Sequence, residues 1–199
     1  MNRTLGLLPL ALPLSFAAAM LATVILMTGS PSPALASPPS NGTVIEGVSV
    51  PGLTLGATRS EVEKSYGPPS FCQSGSKPGD DALCTYNVSG GTIEVFYRSG
   101  SGRDPSGNSK DVAAAVEWSG LPDWPTSRGI TTSNALSNPQ GVIDAYPGAI
   151  VTRFGDGRPR RVFDGALGIE IDWIPVEYTT QLTVEMKIFR TGDGTRPRH

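Results

Sequence analysis

The chain has 199 residues, with 16 Lys and Arg against 18 Asp and Glu and a formal net charge of −2. No basic excess exists to neutralise phosphates, so nucleic acid is not an expected partner. The sole histidine, His199, is the last residue of a polar tail and no G-x-S-x-G occurs, which excludes a Ser-His-carboxylate hydrolase in its usual form.

Residues 1–36 have the order of a secretory signal peptide: Met1, Asn2 and Arg3, an apolar run from Leu5 to Met27, then a small-x-small cleavage site at Ala34-Leu35-Ala36. The same run is long enough to remain as an uncleaved membrane anchor. Pro9 and Pro13 leave only Leu14 to Met27 as a clean apolar core, which favours cleavage. No cysteine follows the run, so the usual lipoprotein attachment is missing. In either case the rest of the chain is expected to be secreted or extracytoplasmic, in the cell envelope, and to meet a membrane only through this segment if it stays uncut. Cleavage leaves a length suited to one ordinary domain or two small packed repeats.

Residues 37–43 form a Pro- and Ser-rich linker with no apolar face to bury. Residues 44–120 read as an αβββ unit. In TLGATRSEVEKSYGPP, Thr58 caps a helix and Glu61 reaches back to it in a capping box. Val62 and Tyr66 share one face, Gly67 supplies the stop, and Pro68-Pro69 forbid continuation. So short a helix needs a sheet to lie on. Thr85–Val88 and Thr92–Arg98 flank a tight Ser89-Gly90-Gly91 turn, with Ile93, Val95 and Tyr97 on one face. The polar stretch 99–111 is a loop, and Val112–Ser119 is the third strand.

Cys72 and Cys84 bracket a Gly-, Pro- and Ser-rich stretch within the first unit. Three uses compete: a metal clip, a redox pair and a structural disulfide. Zinc needs four ligands, and a redox pair is expected as C-x-x-C. In an oxidising compartment a close pair persists as a disulfide, so a Cys72–Cys84 bridge is expected. Its closure is worth about 3 kcal/mol and holds SGSKPGDD as a protruding hairpin-like tip.

Residues 121–128, containing LPDWPTSR, connect this unit to a second. Trp124, bracketed by prolines, either plugs the junction or faces a ligand, whereas strand alternation places Trp118 and Trp173 in core or sheet packing. In residues 129–190 the order repeats. Gly129-Ile130 answers Gly52-Leu53, and Asn138-Pro139 opens a helix whose Val142 and Tyr146 answer Val62 and Tyr66. The extra residues fall in the loop TTSNALSN. RPRR, Arg158 to Arg161, is a solvated turn, and Ala149–Phe154, Leu167–Ile174 and Gln181–Arg190 supply three strands. Residues 191–199 are a polar tail. The fold class expected is α+β: two tandem αβββ repeats, short helices packed on an antiparallel sheet, its other face open to water.

On that polar face fall Glu94, Glu170, Asp172, Glu185 and Lys187. Glu170 and Asp172 are two apart on one strand, a weak basis for glycosidase chemistry, which needs two carboxyls across a cleft at a fixed separation. Asp80-Asp81, or the turn at Asp156, offers too few ligands for calcium. No catalytic, cofactor or metal residue is therefore expected. The candidate partner-binding residues are Trp124, Asp80, Asp81, Glu170 and Asp172.

TLGATRSEVEKSYGPPSFC resembles the SmpA/OmlA/BamE-like fold, in which a G-[MA]-[ST]-x-x-[EQ]-V helix start, a glycine after the helix and a strand meander recur. The duplication, with a cysteine pair closing a short loop after the first helix, looks most like the beta-lactamase inhibitory protein family. That resemblance implies two repeats presenting a concave sheet to an enzyme. It carries Gly56, Thr58, Glu61, Val62, Gly67, Cys72 and Cys84 over as fold-forming positions. The expected function is an exported, non-catalytic protein-binding module, an inhibitor or assembly partner of an extracytoplasmic protein. The alternative is an envelope glycan or small-ligand binder, motivated by Trp124 and the polar sheet face.

Overall fold

The computed structural model describes residues 39, 41–73, 82–98, 111–120 and 122–191. The leader, most of the linker, Asp80-Asp81, nearly all of the polar loop before Val112 and the tail with His199 lie outside the described residues.

A small antiparallel ribbon, β1 (Ser49–Val50) and β2 (Leu53–Thr54), comes first. The first helix, α1 (Arg59–Tyr66), starts where its capping box dictates. The Thr58 N–H donates to Glu61 Oε2 at 2.7 Å and the Glu61 N–H donates to Thr58 Oγ1 at 3.4 Å. Gly67, at φ +80°, ends the helix, and Val62 and Tyr66 are its buried residues. Four strands follow: β3 (Phe71–Gln73), β4 (Ala82–Val88), β5 (Gly91–Arg98) and β6 (Val112–Ser119). The second half contributes α2 (Thr132–Ser137), α3 (Pro139–Ala145), β7 (Ile150–Arg153), β8 (Pro159–Asp164), β9 (Ile169–Pro175) and β10 (Leu182–Phe189).

All strands from β3 onward form one antiparallel sheet of eight, in the order β3-β4-β5-β6-β10-β9-β8-β7. Two meanders thus meet where β6 pairs with β10. The α+β class and the antiparallel sheet with short helices agree with the sequence reading; three details differ. Each half gives the large sheet four strands rather than three. The added ones, β3 and β8, are short or basic, and each is a strand because it completes a ladder with a longer neighbour. RPRR is not wholly a turn, since Pro159 to Arg161 belong to β8. TTSNALSN is not a plain loop. Its Thr131 N–H donates to Asn134 Oδ1 at 2.7 Å and the Asn134 N–H donates to Thr131 Oγ1 at 3.1 Å, so asparagine does the work of glutamate and α2 forms.

The core lies between the helices and one face of the sheet. Across that face the register aligns Tyr86, Ile93, Trp118, Met186, Ile171 and Val162, all fully or nearly fully buried. Helix α1 packs Tyr66 against Tyr86, with ring centroids 6.0 Å apart. On α2, the carbonyl of Ala135 accepts from the Trp173 indole at 3.2 Å, and α3 buries Val142 in the same cluster. Trp124 is only 2 % exposed, its ring 6.3 Å from that of Trp118. Of its two expected roles, it fills the junction. A disulfide joins Cys72 to Cys84, which stand directly opposite each other in β3 and β4.

Both helices begin at a capping box, so Thr131→Ala is expected to destabilise the protein by about 1 kcal/mol, as is Thr58→Ala. Urea denaturation of the two variants checks this, and a loss confined to Thr58→Ala would leave α2 uncapped in solution.

Candidate functional site

Alternation along the strands sends the other set of side chains to the face opposite the helices. No described helix covers it. One row crosses all eight strands: Phe71, Thr85, Glu94, Glu117, Lys187, Glu170, Phe163 and Ile150, each paired with the next by register. Its ends are apolar and exposed, 57 % for Phe71 and 65 % for Ile150. Its centre is charged and compact.

Lys187 is only 4 % exposed. A buried ammonium persists only when paired, and its Nζ lies 2.8 Å from Glu117 Oε2 and 4.1 Å from the centroid of Phe96. The attraction of a cation to a ring face adds to the ion pair where water is excluded. On the neighbouring strands, Arg161 Nε lies 2.8 Å from Glu170 Oε1, and its Nη2 donates to Asp172 Oδ2 at 2.7 Å. One guanidinium fork thus gathers both carboxylates. The hydrogen bond to Asp172 pushes the Arg161 guanidinium to an even higher pKa than usual. Beside the charges sits a second apolar cluster of Phe96, Ala115 and Phe189, with Leu83 and Phe163 against it. The Phe163 and Phe189 rings are stacked with centroids 5.5 Å apart.

The sequence reading placed Glu94, Glu170, Asp172, Glu185 and Lys187 on one polar face, and the register puts them there. It used the Glu170/Asp172 spacing without their partner, because Arg161 was assigned to a turn. Glu117 was missed as well, although it alternates with Val116 and Trp118. The aromatic cluster left a fainter trace. Phe96 stands between Val95 and Tyr97, and Phe189 follows Ile188, so consecutive apolar residues must serve both faces. Trp124 does not reach this surface, which removes the residue that motivated a glycan site. Asp80 and Asp81 lie outside the described residues.

Chemically, the face offers two ion-paired clusters, around Arg161 and Lys187, with Glu185 crowded by other carboxylates, all flanked by apolar surface. Both carboxylates of the Glu170/Asp172 pair are held by Arg161. Among the described residues, no three His, Cys, Asp or Glu side chains converge to hold a metal ion. No helix there is long and apolar enough to cross a membrane. No family model, curated protein or solved structure matches the chain.

Glu185, paired in register with Ser119 and Asp172, is the face's uncomfortable carboxylate. Burial pushes its pKa up, and Glu117, Asp172 and Glu94 push it further. A raised carboxylate pKa means the folded state binds the proton more tightly than the unfolded chain. Stability is therefore lost as pH rises from the ordinary glutamate range through the raised value. Glu185→Gln is expected to raise the melting temperature at pH 7, with the gain shrinking as pH falls through that window. A gain that is unchanged at acidic pH would show that charge is not its cause.

Proposed function

We propose that this protein is an exported, non-catalytic protein-binding module that presents the open face of its eight-stranded sheet to another extracytoplasmic protein, as an inhibitor or assembly partner. The observation that carries this reading is the row from Phe71 to Ile150: exposed apolar ends, a charged centre with an ion pair at Lys187 and Glu117, and a neighbouring aromatic cluster on a face that no described helix covers. Exposed aromatic and aliphatic side chains supply anchors of the kind protein-recognition surfaces use, and a hydrogen-bonded polar network beside them supplies orientation. The Cys72–Cys84 bridge suits a protein made for an oxidising compartment.

A tandem origin of the two halves accompanies the proposal. Helix α1 with β3 to β6, and helices α2 and α3 with β7 to β10, both place helix before a four-stranded meander, and capping boxes at Thr58/Glu61 and Thr131/Asn134 open the first helix of each. A duplicated unit joined edge to edge doubles the width of the open face without lengthening its strands.

The test is to immobilise the exported protein and expose it to the secreted and envelope proteins of the cells that make it. A defined partner is expected, and the double variant Phe71→Asp/Ile150→Asp is expected to bind it at least about tenfold more weakly. Its melting temperature should stay near that of the wild type, because both side chains are exposed. Binding that survives both substitutions, or no retained protein at all, would defeat the reading.

A further inference from the structure

The hairpin between β9 and β10 turns at Val176-Glu177-Tyr178-Thr179. The Thr179 N–H donates to the Val176 carbonyl at 3.1 Å, and the Thr179 hydroxyl donates to the same oxygen at 3.0 Å. The Gln181 N–H then donates to Thr179 Oγ1 at 3.1 Å. Backbone and threonine alone therefore close the turn. Tyr178 occupies its third position with φ +62°, the only non-glycine residue with positive φ among the described residues. Turns place glycine or asparagine at such a position, because a Cβ there meets the neighbouring carbonyl. A bulky aromatic is the wrong residue for folding this turn.

The ring returns nothing to the fold in exchange, for Tyr178 is fully exposed. Val176 beside it is also an exposed hydrophobic. Strain combined with full exposure of a large aromatic is what a binding anchor looks like before its partner arrives. The adjacent turn between β7 and β8 adds a cleft of about 300 Å³, lined in part by Phe154, Arg158, Pro175 and Leu182. Within that turn Arg158 and Asp156 neutralise each other at 2.7 Å. Glu177, exposed next to Tyr178, is the acidic group this turn offers to a partner.

We infer that the β9–β10 turn is a second recognition element, in which Tyr178 inserts into an apolar pocket of a folded extracytoplasmic protein and Glu177 meets a basic group at the pocket's rim. The inference rests on the protein-binding reading, and it adds an anchor that the sheet face does not contain. The Phe154 cleft beside the turn receives a side chain of the same partner.

The experiment places a benzophenone photo-crosslinker at position 180 of the exported protein, beside the anchor, and irradiates it with the secreted and envelope fraction of its own cells. Unlabelled wild type, Tyr178→Gly, Tyr178→Phe and Glu177→Lys serve as competitors. One crosslinked protein band is expected, competed by wild type and by Tyr178→Phe, while Tyr178→Gly and Glu177→Lys require at least about tenfold more protein. Melting of Tyr178→Gly is expected at or above the wild-type temperature, because glycine adopts this backbone without strain. That combination, weaker competition with undiminished stability, separates an anchor from a structural residue. Equal competition by Tyr178→Gly, or a lower melting temperature for it, overturns the inference, as does a crosslink to glycan or lipid instead of protein. If a partner sensitive to Phe71→Asp/Ile150→Asp is retained but nothing crosslinks at position 180, the sheet-face reading stands and this inference alone falls. If neither experiment finds a protein, both fall.

Discussion

The pairing of β6 with β10 is the contact on which the rest of the structure depends. Five register pairs, from Glu185 opposite Ser119 to Phe189 opposite Ala115, join two meanders that are each local in sequence. A four-stranded meander on its own would expose β6 or β10 as a long, hydrophobic edge, the kind that recruits other chains. Joined, both become central strands. The outer edges are left to β3, three residues long, and β7, four residues long with an irregular register at Thr152/Arg153. Short and irregular edges are poor templates for further pairing. The disulfide acts on one of them, fastening β3 to β4 at the margin where a strand of this length would fray.

The same seam organises both faces. On the helix side, Met186 lies opposite Trp118, and the Trp118–Trp124 contact brings the connector between the halves into the core. Tyr146 of the second half reinforces this junction: its hydroxyl donates to Glu46 Oε1 at 2.9 Å and lies 3.0 Å from Thr126 Oγ1, with Arg128 above its ring. On the open side, Lys187 and Glu117 form an ion pair directly across the seam. A buried ion pair is weak as a source of stability because both ions must be stripped of water. Its stronger effect is on register. Sliding β10 by one residue would turn Lys187 into the apolar core and Met186 outward.

The proposed binding face is already organised by its own contacts. Arg161 is already clamped by Glu170 and Asp172, Lys187 by Glu117, and Phe163 by Phe189, so little side-chain freedom remains to be lost on association. Tyr178 is the opposite case. Its ring is fixed by nothing, but the backbone beneath it is held by three hydrogen bonds in a conformation the residue disfavours. The turn thus points a large apolar group into solvent from a rigid base.

Much of the local structure was legible in the chain itself. Thr58, Glu61, Val62, Tyr66 and Gly67 specify α1 through capping, period and a left-handed stop, all short-range effects. Alternation in β5, β9 and β10 told the two faces apart because a strand's period is two whatever it pairs with. Asparagine at the third position of α2 hid the second capping box, since its short side chain is a poorer helix former than glutamate. Strands β3 and β8 have too little pattern of their own and exist because a neighbour supplies the ladder. Only the tertiary structure decided that β6 meets β10, that Trp124 turns inward, that Arg161 gathers Glu170 and Asp172, and that Tyr178 bears a glycine's conformation. Each of these depends on groups far apart in the chain or on a backbone angle, and neither composition nor local period encodes which distant partner wins.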